Sequence, residues 1–234
     1  MSERVVVRVG DFLPSRHGFR FSNDFPSGPV VTLRLPGMPE LCFGDASCGL
    51  CGGMSFAVRD YFVEGRPVPD SNEHPAPGSP LFKYLVRRLW DSFRLPGGPF
   101  RYYAWMRLPD VTIWQRTLND SWPRVRRELD RGRLAPLGMN RYRSRNPMHL
   151  GHNHQILAYG YEWDRDSGDV LIQIYDPDYS NEDDLTFAFN VNDVEGKRGI
   201  VYSKGATVRG FFTTPYKPPG FAWCSFLFGL HCPL

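Results

Sequence analysis

The feature that most constrains this chain is a change of period near Gly132. Before it, apolar residues recur every three to four positions; after it they alternate or run in short blocks. Leu81, Phe82, Leu85, Val86, Leu89, Trp90 and Phe93 mark one face of a helix that Ser79 caps and Pro80 opens. Another helix runs from Cys51 to about Glu64-Gly65, with Met54, Ala57, Val58, Tyr61 and Phe62 at helical spacing. A third starts at a Ser121 cap, carries Pro123 in its first turn and stops at Gly132. Downstream, residues 134–142, 154–163, 169–175, 185–190, 199–202 and 207–213 have strand character. Helices followed by strands predict an α+β fold, N-terminal helices packed on a C-terminal antiparallel sheet. The helical half covers about 42–132 and the sheet half about 133–214, in one domain over 1–234.

The flanks are simpler. Arg4–Arg8 reads as a short strand, and Val30–Leu35 as another inside a Pro- and Gly-rich surface stretch from Phe12 to Glu40. Residues 66–79 form a proline-rich extended loop. Trp105, Trp114 and Trp122 belong to the core. The apolar tail Phe221–Leu230 is too short for a bilayer span and is expected to pack on the body.

Composition mainly excludes. A net charge of +3 is too small to argue for a nucleic-acid partner. Five cysteines, an odd count, fit a reducing compartment better than a closed disulfide framework. With no signal-peptide pattern, the expected location is cytoplasmic and Cys48 is expected to be free. Nine arginines against three acids in 116–145 read as a solvated helix face before a docking surface for an acidic partner.

The chemistry gathers around Cys51. Gly52, Gly53 and Ser55 crowd the first turn of its helix, and each glycine costs about 1 kcal/mol there relative to alanine. Such a start admits close approach of another chain, and the positive end of the helix dipole favours a thiolate. A cysteine nucleophile needs a base and a group to orient it. Strand 154–163 begins with His154, and Leu171–Asp178 brings a second strand to Asp176-Pro177. A hairpin turning about Arg165 makes facing residue numbers sum to about 330, and His154 and Asp176 do. Asp178, beyond the proline, is expected to cap the turn, and His149 and His152 to be loop residues. Two other uses of these residues are open. Cys48-Gly-Leu-Cys51 has redox spacing but lacks a long buried strand upstream, and Cys48, Cys51, His152 and His154 are zinc-type ligands on unusual spacing. A plainly buried Cys51 is the third.

Ser47-Cys-Gly-Leu-Cys-Gly-Gly-Met-Ser-Phe-Ala-Val58 resembles the active-site segment of papain-like cysteine peptidases, and His154-Gln-Ile-Leu-Ala-Tyr-Gly-Tyr161 their histidine strand. The order Cys, His, Asp over roughly 42–180 looks closest to the bacteriocin-processing, double-glycine peptidase-like branch. The resemblance implies a papain-like fold with Cys51 as nucleophile, His154 as base and Asp176 as orienter. It implies cleavage of a peptide or isopeptide bond in a peptide or protein substrate, with no metal and no cofactor. An amidase or transferase would use the same residues. One position departs. Where that family carries a glutamine six residues before the nucleophile to stabilise the oxyanion, this chain has Asp45. Three readings follow: a protonated Asp45; a donor supplied by Ser47 or Asn153, with Gly52 beside them; or a papain-like binding domain that no longer catalyses.

Overall fold

The computed structural model describes residues 3–33, 41–46, 49–93 and 97–219; for 29–33, 41–45, 97–99 and 148 it describes backbone only. In chain order the elements are β1 (Arg4–Arg8), the helical turn α1 (Pro14–His17), β2 (Pro29–Leu33), β3 (Leu41–Asp45), α2 (Cys51–Val63), α3 (Pro80–Phe93), α4 (Gly97–Arg107), α5 (Asp110–Arg116) and α6 (Trp122–Asp130). Then follow β4 (Ala135–Asn140), β5 (His154–Asp164), β6 (Asp169–Tyr175), β7 (Thr186–Asn190), β8 (Val201–Tyr202) and β9 (Gly210–Thr213). The fold is α+β. The tail from 221 onward lies outside the described residues, as do Ser47 and Cys48.

β5 is the spine. The antiparallel sheet runs β8-β7-β6-β5-β4-β9. β4 pairs with the first half of β5, and β1 with the second half on the same edge. The N-terminal half is therefore not wholly helical: it supplies a strand to the main sheet. A separate hairpin joins β2 to β3, so Leu41–Asp45, which carries no strand alternation, is a strand through its partner. Eight consecutive residues of β5 are buried, because the first half is covered on both faces.

α2 is the helix most enclosed by protein. Gly52 through Asp60 are all buried, where spacing predicted a single stripe. A Cβ on Gly53 would stand 2.9 Å from the Leu85 carbonyl carbon, and one on Gly52 would stand 2.7 Å from Gln155 Nε2. The glycines therefore serve close packing on α3 and β5. The approaching chain that they admit is the protein's own. α3 is amphipathic as expected: the Phe82 N–H donates to Ser79 Oγ at 3.2 Å, Leu85, Val86 and Leu89 are buried, and Trp90 turns outward.

α4 and α5 have no counterpart in the sequence reading, and α6 does not start at Ser121. Ser121 is itself helical and makes no side-chain cap. A π turn over Thr117–Ser121 joins α5 to α6, with the Trp122 N–H donating to Thr117 O. Pro123 has no N–H to donate, and a wider turn just before it absorbs the mismatch that would otherwise break the helix. Trp105, Trp114 and Trp122 are all buried. One apolar cluster connects α2, α3, α6 and the sheet. No helix among the described residues is long and apolar enough to cross a membrane.

Candidate active site

Cys51 is the first residue of α2 and is partly exposed. The turn before it needs Gly49, whose φ is +84° and whose missing Cβ leaves room for the Asn23 amide. Asn23 Oδ1 accepts from the Leu50 N–H at 2.5 Å, which ties the start of α2 to the 18–28 loop. Below, Ser55 Oγ donates to Gln155 O at 3.3 Å and Gln155 Nε2 donates to Ser92 Oγ at 3.1 Å. Helix and β5 are thus tied one helical turn after Cys51 and one residue after His154.

His154 opens β5 and Asp176 follows β6; both are buried. His154 Nε2 donates to Asp176 Oδ1 at 2.6 Å. Asp176 also receives the Asp178 N–H at 2.9 Å and, on Oδ2, the Tyr202 hydroxyl at 2.8 Å. Every one of these bonds favours the carboxylate. Burial pushes Asp176 up, but the imidazole, the backbone N–H and the phenol outweigh it, and the carboxyl is held below its ordinary range. Burial pushes His154 down, yet the Asp176 carboxylate and the Cys51 sulfur hold it well above 6.5. With Nε2 engaged by Asp176, Nδ1 is the nitrogen left for the thiol.

The hairpin register differs from the expected one. Facing residues sum to 333 near the turn (Tyr161 opposite Ile172) and to 332 near the site (Leu157 opposite Tyr175), the change being a bulge at Tyr159. Asp176 therefore stands opposite Ile156 and diagonal to His154, within reach along one face. The extra residue decides that face. With the sum still at 333, His154 and Asp176 would point to opposite sides of the sheet. Beside the bulge, Gly160 lets β1 approach closely, since a Cβ there would meet Val7 O at 2.8 Å.

Other expected residues fall as follows. Asn153 lines the cleft, but Oδ1 accepts from Asn140 Nδ2 and the Arg141 N–H, and Nδ2 donates to Leu150 O; it fastens the loop. Gly52 is buried behind Cys51. The Asp45 side chain, Ser47 and Cys48 lie outside what is described, and so does any redox or zinc role that needs Cys48. His152 is exposed and stacks on Tyr142, centroids 4.8 Å apart. Asp178 does more than cap a turn: Oδ1 accepts from Asn23 Nδ2 at 3.0 Å, and Oδ2 lies 3.5 Å from His154 Nε2. His154, Asp176 and Asp178 could in principle hold a cation. An N–O separation of 2.6 Å is a hydrogen bond, too short for both atoms to bracket a metal at about 2.1 Å each.

Asn23, Tyr202 and Tyr102 were not legible beforehand. Tyr102, on α4, donates its hydroxyl to His154 O at 3.2 Å. Each sits far from Cys51 and His154 in sequence, inside a segment with no local motif. Together Cys51, His154, Asn23, Gly49 and Asp178 line one side of a cleft of about 650 Å³. Compared with known proteins, the chain matches no family model, no curated protein and no solved structure, so a functional reading rests on this cleft alone.

Proposed function

We propose that this protein is a cysteine-dependent acyl-transfer hydrolase, most simply a peptidase, with a papain-like arrangement of Cys51, His154 and Asp176. The observation that carries the reading is a buried, charge-stabilised His154–Asp176 pair beside a partly exposed cysteine at a helix start, all three reached from one cleft or directly behind it. His154 Nδ1 takes the thiol proton, and the thiolate attacks a carbonyl carbon. The charge that develops on the carbonyl oxygen faces the unpaired N–H groups at the start of α2. His154 then gives its proton to the leaving nitrogen as the C–N bond breaks. Water, deprotonated by His154, attacks the thioester; the acid leaves and the thiol is restored. Asp176 keeps the imidazole oriented and its cation stabilised throughout.

A second reading, a binding domain that has lost catalysis, draws on Asp45 at the position where a glutamine is expected. An acyl electrophile that mimics a peptide carbonyl separates the two. Capture by the wild type but not by Cys51→Ala supports the hydrolase. Absence of capture by folded wild type, with Cys51 no more reactive than a small thiol, would leave the binding domain.

A further inference from the structure

The rest of the cleft differs from a hydrophobic specificity pocket. Beyond the catalytic edge its described walls are Arg141, Tyr142, Gly151, His152, Asn153 and the small run Gly205-Ala206-Thr207. None of its described lining residues is Val, Leu, Ile, Met or Phe. Walls with no aliphatic side chain larger than alanine, as the described ones are, gain little from burying an apolar residue.

Arg141 stands out by its lack of partners. It is partly buried in the cleft wall, and among the described residues its guanidinium makes no ion pair and no side-chain hydrogen bond. Its backbone is fixed. The Arg141 N–H donates to Asn153 Oδ1, and Arg209 Nη1 reaches the carbonyl of Tyr142. The chain then leaves the cleft as Tyr142-Arg143-Ser144-Arg145. Arg143 has only a long contact to the exposed Asp110, at 3.9 Å, and Arg145 is exposed with no ion pair among the described residues. Three arginines in and just past α6 behave differently: Arg131 and Arg133 turn to Glu128, and Arg126 lies over Trp163 and 3.9 Å from Asp130. The arginine-rich stretch thus holds one group turned to the chain's own acids and, beginning inside the cleft, a cationic rim whose only ion pair among the described residues is the long Arg143–Asp110 contact.

Resting on the hydrolase reading, we infer that the substrate is an acidic peptide, with a carboxylate side chain beside the scissile bond seated on Arg141 and further acidic residues along Arg143 and Arg145. Guanidinium binds carboxylate in a planar fork and keeps its charge at any physiological pH. The one acid among the cleft's described lining residues, Asp178, is turned to Asn23 and His154, away from any pairing with Arg141. A nucleic acid fits less well. Among the described cleft lining Tyr142 is the one Phe, Tyr or Trp, already stacked on His152, and the chain's net charge is only +3.

The test uses two alkylating agents that differ in charge. Rates of Cys51 labelling by iodoacetate and iodoacetamide, each normalised to a small thiol, give a ratio that reports cationic potential in the cleft. Arg141→Gln is expected to lower that ratio on the order of fivefold, the effect of one charge several ångströms away in a half-solvated site, and Arg141→Lys to restore most of it. A hexaglutamate peptide is expected to protect Cys51 in the wild type and not in Arg141→Gln, and the protection to fade in high salt. An unaltered ratio in a folded Arg141→Gln protein overturns the inference and leaves the hydrolase standing. Equal protection by a thymidine oligonucleotide of matched charge overturns the assignment to a peptide. Wild-type Cys51 labelled no faster than a small thiol by either agent removes the hydrolase reading, and this inference with it.

Discussion

Two buried carboxylates sit at the heart of the two halves of this protein, and they behave oppositely. In the helical half, Asp60 on α2 forms an ion pair with Arg88, its Oδ2 lying 2.6 Å from Nε, and it accepts hydrogen bonds from Arg88 Nη2 at 3.0 Å and from the hydroxyls of Tyr84 and Tyr216. Arg88 is itself closed off by Asp91 and the Lys217 carbonyl, and it lies over the rings of Phe56 and Tyr216. In the sheet half, Asp176 accepts from His154, one backbone N–H and one phenol. Burial is the largest influence on both: at Asp60 it prevails and raises the carboxyl, whereas at Asp176 the imidazole, the backbone N–H and the phenol together outweigh it and lower the carboxyl. A buried ion pair is therefore no functional signal by itself. Arg88 never releases its proton, and its side chain is 0% exposed. His154 can exchange one, and it faces a cleft that also holds a thiol.

Substitution should separate the two clusters sharply. Arg88→Met leaves Asp60 buried without its cation, and is expected to cost about 3–5 kcal/mol of stability, read as a denaturation midpoint. Cys51 in the folded fraction should still label. Adding Asp60→Leu to Arg88→Met should recover much of the loss; failure to recover would mean that the pair does more than neutralise itself.

His154→Gln works the other way. The amide can still donate to Asp176, so the fold should hold, while acylation of Cys51 by the acyl electrophile falls on the order of 10³-fold. A melting temperature that drops as far as in Arg88→Met would erase the contrast drawn above. Tyr202→Phe is the intermediate case. It removes a hydroxyl from a buried carboxylate, which costs about 1.5–3 kcal/mol and loosens the imidazole without removing it. The His154 resonance in a proton NMR titration should then move toward lower pH, because a less fixed carboxylate stabilises the imidazolium less.

The smallest effect is a difference of slope. His154 has a raised pKa in the folded protein, so its contribution is fully present below about pH 6.5 and is lost as pH rises through the folded value. Asp176 has a lowered one, so its contribution is present above about pH 3.8 and is lost as pH falls through the folded value. Asp60, raised from 3.8, has the reverse sign: it costs stability as it ionises. Asp176→Asn should flatten the acid loss of stability, and Asp60→Asn should steepen it. Unfolding curves from pH 3 to 8 for the two variants check this; identical slopes would mean that the two carboxylates are equivalent after all.

Much of the architecture was legible in short stretches. The helix that begins at Cys51, the Ser79 cap, the strand that begins at His154 and the strand that ends before Asp176 each follow from nearest-neighbour patterns. The segments that were misread are those in which a local rule met a distant partner. Leu41–Asp45 becomes a strand because Pro29–Leu33 pairs with it, and Ser121 fails as a cap because a π turn carries the helix through it.

By itself the sequence determined which residue types were present in which order, and where helix and strand periods begin, because backbone propensity and side-chain alternation are properties of a few consecutive residues. Tertiary structure alone decided which of them meet. The Tyr159 bulge brings His154 and Asp176 to one face; Gly52 and Gly53 let α2 press against α3 and Gln155; Asn23, Tyr102 and Tyr202 reach the site from loop, helix and strand. Register, close approach and the pairing of buried charge depend on surfaces that exist only once segments remote in sequence have packed together, and no window of local sequence contains them.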